Sequence, residues 1–320
     1  MNVVNLVRAG KGIFDFKEIV SEKDGYKLYI KVFRDAMKFD GMPAMNWRCH
    51  PIPGDDRKFD SVRLPASAFE LQQIADLLNC MLMTTKVIDM IWLQANIKFD
   101  CVTYINTIVA NSNIHDVHNA IEKKIRKAGG DDGKGLISCV GKYWCLINGL
   151  GSRPGRNLYG KNTACNYGWM SSKGSGPCLS PGTKCWQRPG FKHNNKHYDP
   201  SQTIRLMYKY GRLIHPDGKE ETVDLVNILK DEKLSYLINH EGKLDYFRQK
   251  NVPELAPIYQ EPEQEPPKQE PLKIKDKVEL YATNTNVANH KLTIKKEINY
   301  NLLQVILKFI MSIVNLFKRR

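Results

Sequence analysis

The sequence lacks long apolar runs: none reaches the roughly twenty residues that a transmembrane helix needs, which argues against a polytopic membrane protein. It also lacks the two glycine-rich patterns that bind nucleotide phosphates, Gly-x4-Gly-Lys-(Ser/Thr) and Gly-x-Gly-x-x-Gly at a helix start. Arg8 and Lys11 interrupt the short apolar start, so the first residues contain no secretory hydrophobic segment. We therefore expect a chain that is made in a cytoplasm.

Acidic residues are in the minority, with 34 Asp and Glu against 48 Lys and Arg among 320 residues. The net charge of +14 favours an anionic partner, such as nucleic acid, acidic lipid or the charged polymers of a bacterial envelope. An apolar fraction of 42% is enough for a packed core and excludes full disorder. The length allows two domains, or one large domain with appendages.

The eight cysteines are not needed as disulfides in a chain of this length without a secretory segment, so we expect reduced thiols. Cys165, Cys178 and Cys185 nevertheless carry thiolate groups of the kind that zinc prefers, and the imidazole of His193 would complete a tetrahedral site. Their successive spacings of 13, 7 and 8 residues lack a Cys-x2-Cys knuckle. No cofactor is therefore the main expectation, with zinc as the alternative.

Helical and strand patterns alternate over residues 1–252, which predicts an α+β fold with one mixed, partly β-rich main domain. Residues 25–34 alternate polar and apolar side chains as a strand does. Residues 66–78 show helical spacing, and Ser67 with Glu70 forms the pattern of a capping box. We expect this main domain to hold the catalytic site.

A composition change marks the end of the main domain. Six prolines with interspersed glutamates predict a semi-rigid spacer over residues 253–272. The basic tail, residues 273–320, contains an apolar run over 302–317 with a narrow polar stripe, followed by three cations. This pattern predicts an amphipathic helix, through which residues 298–320 would contact an anionic membrane or envelope polymer. The alternative interpretation is a core or oligomerisation helix that packs back on the main domain.

The string from Asp100 to Ile105, Asp-Cys-Val-Thr-Tyr-Ile, contains a candidate nucleophile. Asp100 is expected to cap a short helix whose first turn holds Cys101, where the helix N-terminus lowers the pKa of a thiol. The string resembles the Asp-Cys-(Val/Thr)-Thr-Phe motif of NlpC/P60-type cell-wall amidases over about six residues. The resemblance implies a nucleophilic Cys101 paired with a later histidine, for which His193 follows in the right order. The alternative is a small buried hydrophobic residue.

A second string concentrates titratable side chains within thirteen residues just before a strand. A histidine near a carboxylate can act as a tuned general base, which assigns this role to His193 with Asp199 orienting the imidazole. Ser201 is a candidate nucleophile or hydrogen-bond donor. Lys142, in an earlier strand, or Arg205 would stabilise an oxyanion. Arg205 is also a candidate for substrate binding.

Tyr167 and Trp169, in the string Asn-Tyr-Gly-Trp-Met, are the aromatic candidates for substrate binding. With the second string they resemble a set of bacterial and phage proteins of no known activity, which carry Tyr-Gly-Trp-His and His-x5-Asp-Tyr-Ser-His-Gly-x-Arg. The resemblance spans roughly residues 25–245. Met170 stands where that pattern has histidine, and Gln202-Thr203 replaces His-Gly. The alternative interpretation is a loop whose polar groups satisfy one another.

These patterns together predict a phage-type endolysin, a peptidoglycan hydrolase of the amidase or peptidase kind. It would reside in the host cytoplasm before lysis and then at the envelope or inner-membrane surface. The alternative is a non-enzymatic virion or membrane-associated protein that binds a polymer. Aromatic residues such as Trp186 interleave with Lys and Arg as in nucleic-acid binding proteins. Nucleic acid is nevertheless the partner we expect least, because no known binding module is present.

Overall fold

Helices and strands are interleaved along the chain, which confirms the α+β class. The computed structural model of the chain describes residues 2–46, 49–102, 114–130, 133–138, 140–148, 163–174 and 176–259. Among these residues the helices are α1 (Val3–Arg8), α2 (Ala68–Leu77), α3 (Thr85–Gln94), α4 (Ile114–Lys127) and α5 (Leu225–Lys230), with a 3-10 turn at Leu234–Leu237. The strands are β1 (Gly12–Ile13), β2 (Phe16–Lys23), β3 (Tyr26–Phe33), β4 (Lys38–Phe39), β5 (Met42–Pro43), β6 (Lys58–Phe59), β7 (Val62–Arg63), β8 (Cys80–Met81), β9 (Lys142–Cys145), β10 (Thr163–Met170), β11 (Gly176–Pro177), β12 (Lys184–Asn194), β13 (Met207–Ile214) and β14 (Glu220–Asp224).

The largest sheet is antiparallel and is built around the hairpin of β2 and β3. Asp24 and Gly25 connect these strands with φ angles of 50° and 82°, as a turn that matches the twist of a hairpin requires. The order is β14-β13-β3-β2, and β8 pairs with the start of β13. Leu28, Ile30 and Val32 are buried at alternate positions of β3, because successive side chains of a strand point to opposite faces.

The second large sheet, ordered β11-β12-β10-β9, carries the candidate site. All its pairs are antiparallel. The register of β10 with β12 shifts twice, once between Ala164 and Asn166 and once between Asn166 and Gly168. Each shift places an extra residue in β12 and changes which of its side chains face the core. The two smaller sheets are β1-β4-β7 and β5-β6.

The helices begin where local hydrogen bonds replace missing intrahelical ones. Ser67 Oγ accepts the Glu70 backbone N–H, and the Glu70 carboxylate accepts the Ser67 N–H, so the predicted capping box is confirmed. Thr84 and Asp224 cap α3 and α5 by accepting the backbone N–H of Val87 and of Val226, respectively. The chain leaves α4 through Gly129, whose φ of 80° is a conformation that glycine adopts at little cost.

The chain after residue 252 is still attached to the main domain where the structure describes it. The backbone N–H groups of Ile258 and Tyr259 both donate to the carbonyl of Leu77, at the end of α2. The Tyr259 ring also meets the edge of Phe14, with ring centroids 5.5 Å apart. Residues 253–259 of the predicted spacer therefore contact the core. The rest of the spacer, the basic tail and its predicted amphipathic helix lie outside the described residues. Within the described part of the chain, no helix combines the length and apolarity needed to cross a membrane.

Candidate functional site

The strands β9, β10 and β12 place four polar and aromatic side chains on one face of their sheet. Asn166 lies opposite Trp144 on one side and Gly190 on the other, while Ala164 lies opposite His193. Directly paired residues point to the same face of a sheet, as do residues two apart on one strand. The pairing of Gly168 with Lys142 adds the lysine to this face.

The loop after β12 brings a carboxylate to this face. Lys142 Nζ donates to Asp199 Oδ2 at 2.7 Å. The other oxygen, Oδ1, accepts the Ser201 backbone N–H at 2.8 Å and the Ser201 hydroxyl at 2.5 Å. The backbone N–H of Lys142 donates to the Ser201 carbonyl, which fastens the loop to β9. Both carboxylate oxygens of Asp199 are therefore held by fixed donors.

The charge of this pair is only partly screened by water. The side chains of Lys142 and Asp199 are 8% and 17% exposed. Burial by itself would raise the pKa of the Asp199 carboxyl, but the Lys142 charge and the donors from Lys142 and Ser201 outweigh it. The pKa of Asp199 is consequently lowered, and the carboxylate is ionised at neutral pH.

His193 is the basic group of the site. Its ring stacks on that of His197, with centroids 3.8 Å apart and planes at 11°, and its edge meets Trp144. Burial lowers the pKa of His193, the charges of His197 and Lys142 lower it further, and Asp199 opposes them. The imidazole is therefore neutral at pH 7 and able to take up a proton.

The expected hydrogen bond between Asp199 and the imidazole of His193 is not found among the described contacts. Asp199 is instead held by Lys142 and Ser201, while the His193 ring is fixed by stacking on His197. The prediction that Asp199 orients the ring is therefore wrong in its geometry. The carboxylate acts on His193 through its charge.

Trp169 borders the Lys142–Asp199 pair and has an unusual backbone. Its φ is 54°, directly after Gly168 at 124°. The Lys142 ammonium lies 4.7 Å from the centroid of the indole ring, a cation–π contact. A positive φ is rare for a bulky residue and marks strain that the surrounding structure must impose. The strained strand end thus places the indole beside the charged pair.

Three side chains at the site keep buried polar atoms that find no hydrogen-bond partner among the described residues. These are the indole Nε1 of Trp169, Oδ1 of Asn166, and both amide atoms of Gln202, the neighbour of Ser201. Most buried polar atoms in proteins are paired, so a local group of unpaired ones indicates positions that a ligand or ordered water would satisfy. A Cβ atom at position 190 would lie 2.6 Å from Asn166 Oδ1, so any larger residue there would force the Asn166 amide to move.

Two of the predicted nucleophiles are inaccessible. Ser201 is fully buried, and its hydroxyl donates to Asp199, so it is a hydrogen-bond donor and not an exposed nucleophile. Cys101 is 3% exposed, and its backbone N–H donates to the Met170 carbonyl. The Asp100 carboxylate accepts the backbone N–H and the hydroxyl of Ser172, and the helix that it is expected to cap falls on residues outside the described ones. Residues 103–105 of this string lie outside the described residues.

Two of the predicted substrate-binding residues have structural roles. Arg205 is fully buried, and its guanidinium donates to four backbone carbonyls, those of residues 33, 34, 137 and 138. Tyr167 is also fully buried and donates its hydroxyl to Asp89 Oδ1 at 2.7 Å, which joins β10 to α3. Neither side chain reaches solvent, so only Trp169 of the three remains a substrate-binding candidate.

The alternative zinc site does not form among the described residues, where no three His, Cys, Asp or Glu side chains come together as metal ligands. The register gives the reason: His193 pairs with Ala164, so Cys165 on the next position points to the opposite face. The Cys178 thiol contacts the sulfur of Met170 at 3.3 Å. The seven described cysteines, all but Cys139, are buried thiols, as expected for reduced residues.

The site also contains residues that the sequence reasoning did not assign to it, namely His197, Trp144, Asn166 and Gln202. The proximity of His197 to His193 in the sequence was the one available signal, because stacking across a turn requires a short separation. Comparison with known proteins adds nothing to this set: no family model, curated protein or solved structure matches the chain.

Proposed function

We propose that the chain hydrolyses bacterial peptidoglycan at an amide or peptide bond, with His193 as the general base. The observation that carries the proposal is a neutral, half-buried imidazole within the electrostatic influence of an ionised carboxylate. Asn166 on the same sheet face, together with Trp169 and Gln202, supplies buried polar atoms that have no partner among the described residues. The cationic charge of the chain and its local resemblance to cell-wall amidases support the choice of substrate.

In the proposed reaction, His193 removes a proton from a water molecule as the water oxygen attacks the carbonyl carbon. The protonated imidazole then delivers that proton to the leaving amine as the carbon–nitrogen bond breaks. The charge of Asp199 stabilises the imidazolium through space, and Lys142 and Ser201 are positioning residues that hold the carboxylate. The unpaired Trp169 Nε1–H is the donor assigned to the carbonyl oxygen, where negative charge develops.

The second candidate function is non-enzymatic binding of a wall or membrane polymer. It is favoured by the burial of Ser201 and Cys101, which leaves no exposed serine or cysteine nucleophile among the predicted site residues. On either proposal the protein is made in the host cytoplasm and acts at the envelope, where the tail, residues 298–320, would contact an anionic surface.

The test is the release of new amines from purified peptidoglycan by the full chain, compared with the release of reducing sugar ends. Amide hydrolysis predicts amines only. We expect His193→Gln to lower the rate by about 100-fold or more, in line with the contribution of a general base. His215→Gln is the matched control, because His215 contacts Glu221 at the end of β13 and should leave the rate unchanged.

Two outcomes would contradict the hydrolase proposal. One is the absence of amine release by the unaltered chain on walls of several compositions, with metals and reductants added in turn. The other is full activity of His193→Gln with an unchanged unfolding curve. Tight binding to walls without any bond cleavage would instead favour the second candidate function.

A further inference from the structure

The stretch from Gly133 to Tyr198 has an unusual charge pattern. It contains ten Lys and Arg residues and not one Asp or Glu, although the whole chain has 34 acidic residues. The stretch includes the three strands of the candidate site and the loops around them. One of its cations, Lys142, is used internally by Asp199. Apart from the cations at its two ends, which lie near Asp131, Asp132 and Asp199, the cations of this segment have no acidic residues close to them in sequence.

Strand β12 presents part of this charge to solvent in an ordered row. Lys184, Trp186 and Arg188 are exposed at alternate positions, and the tryptophan is 44% exposed. Alternate residues of a strand lie about 7 Å apart on one face. The two register shifts lie between Gln187 and Gly190 and between Gly190 and His193; Lys192 is exposed within the second one, and the next residue, His193, pairs with Ala164 of the site. We name Lys184, Trp186, Arg188 and Lys192 the β12 cationic face.

The cations of this face are available to a partner. In the described part of the chain, no carboxylate lies within ion-pair distance of Lys184, Arg188 or Lys192, whereas many other exposed cations have one, such as Arg57 with Asp55. A row of unpaired cations attracts a polyanion through the release of its counterions. Because the charges repeat along one line, a linear polymer fits them better than a compact anion does.

We infer that the β12 cationic face binds a polyol-phosphate polymer of the bacterial wall, with one phosphodiester in each short repeat. This inference rests on the proposed function, since such polymers are attached to the peptidoglycan that the site would cleave. Phosphate oxygens would pair with the three cations, and Trp186 would cover an apolar or sugar part of the polymer. The face carries a single exposed aromatic residue beside its three cations. Proteins that bind single-stranded nucleic acid use several aromatic residues, on which successive bases stack. One aromatic residue for three cations therefore favours a polymer that repeats phosphate groups and carries no bases.

The β12 cationic face lies on the same strand as His193, which determines how polymer binding would affect cleavage at the site. Lys192 and His193 are adjacent on β12 and point to opposite faces of the sheet, so a polymer held along the β12 cationic face leaves the candidate general base open to the peptidoglycan. Binding there would retain the protein on the wall while His193 acts on the attached peptidoglycan. The β12 cationic face is therefore proposed to affect the use of intact walls and not the chemical step.

The experiment measures binding of the full chain to fluorescently labelled poly(glycerol phosphate), by anisotropy over a range of salt concentrations. Replacing Lys184, Arg188 and Lys192 by Gln should weaken binding at least about tenfold and reduce the salt dependence by about two counterions. Trp186→Ala should weaken it further without changing the salt dependence. The matched control replaces Lys11, Lys123 and Lys127, which are also exposed, and should leave binding unchanged.

Two results would overturn the inference. Equal loss of binding in the control triple variant would show attraction by net charge alone. Tighter binding of single-stranded poly(U) than of poly(glycerol phosphate), through the same three cations, would identify the surface as a nucleic-acid site. Amine release is measured in parallel on peptidoglycan stripped of its anionic polymer. There the triple variant should be as active as the unaltered chain, so a failure of the hydrolase proposal is seen separately from a failure of this one.

Discussion

The Lys142–Asp199 ion pair offers the sharpest prediction of the account. Lys142→Met keeps an unbranched side chain of similar length over Trp169 and removes the charge. Exposed ion pairs contribute at most about 1 kcal/mol, whereas removing one partner of a buried pair costs about 3–5 kcal/mol. With exposures of 8% and 17%, this pair lies nearer the buried limit. We therefore expect a loss of roughly 2–4 kcal/mol in the free energy of unfolding at pH 7.

The sign of the pH dependence follows from the direction of the Asp199 shift. A carboxyl whose pKa is lowered on folding contributes stability above the pKa of its unfolded form, and loses it as pH falls through the folded pKa. In Lys142→Met the main lowering charge is absent, so the pKa of Asp199 rises and the carboxyl is protonated at a higher pH. The difference between variant and unaltered chain should therefore shrink as the pH falls.

The assay is urea unfolding at pH 7 and pH 4, followed by far-ultraviolet circular dichroism, with the slope against urea checked for constancy. Asp199→Asn alone and the double variant complete a mutant cycle, in which the two effects should be far from additive. A loss below about 0.5 kcal/mol for Lys142→Met at pH 7, with additive effects in the cycle, would refute the reasoning.

Three further predictions concern buried groups of the main domain. Asp35 has a pKa lowered to about 2, because the charge and hydrogen bonds of Arg63 outweigh the effect of burial. Asp35→Asn should therefore cost about 2–3 kcal/mol at pH 7. In urea unfolding at a series of pH values, the variant should lack the loss of stability that we expect of the unaltered chain between about pH 4 and pH 2. Arg205→Met should lower the free energy of unfolding, measured in urea, by about 3–5 kcal/mol, because four backbone carbonyls lose their donor. A change below about 1 kcal/mol would contradict the structural role assigned to Arg205. Cys101→Ser should keep the rate of amine release within about twofold of the unaltered chain, because a buried thiol cannot act as the nucleophile. Complete loss of amine release in a folded Cys101→Ser variant would show that Cys101 is the nucleophile after all.

Much of the fold follows from local patterns. The spacing of apolar residues and the capping box of Ser67 predict the helix over 66–78, and both depend on residues that are close in sequence. Alternation predicts the strand over 25–34, which the structure has as β3. The strand expected directly after the second string is β13, which begins only at Met207, because residues 201–203 pair with Lys142 and not with the large sheet.

The site was predictable only in part, because its geometry depends on contacts between distant segments. Residue type and order predict His193, Asp199 and Lys142 as site residues. In the structure Lys142 pairs with Asp199, and the charges of both act on the pKa of His193. The sequence could not show that Arg205 and Tyr167 are buried, since their partners are backbone carbonyls and a carboxylate from remote segments. The two register shifts of β12 decide which of its side chains face the site, and the local sequence of β12 does not predict where they occur.

The most direct test of the site is a nuclear magnetic resonance titration with a soluble muropeptide, recorded on the indole N–H and imidazole signals. We expect the Trp169 Nε1–H signal, which has no acceptor among the described residues, and the His193 ring signals to shift together with one saturation curve. Trp169→Phe identifies the indole signal, and the indole of Trp186 on the β12 cationic face should stay in place. A muropeptide that binds while both Trp169 and His193 remain unshifted would contradict the assignment of this site.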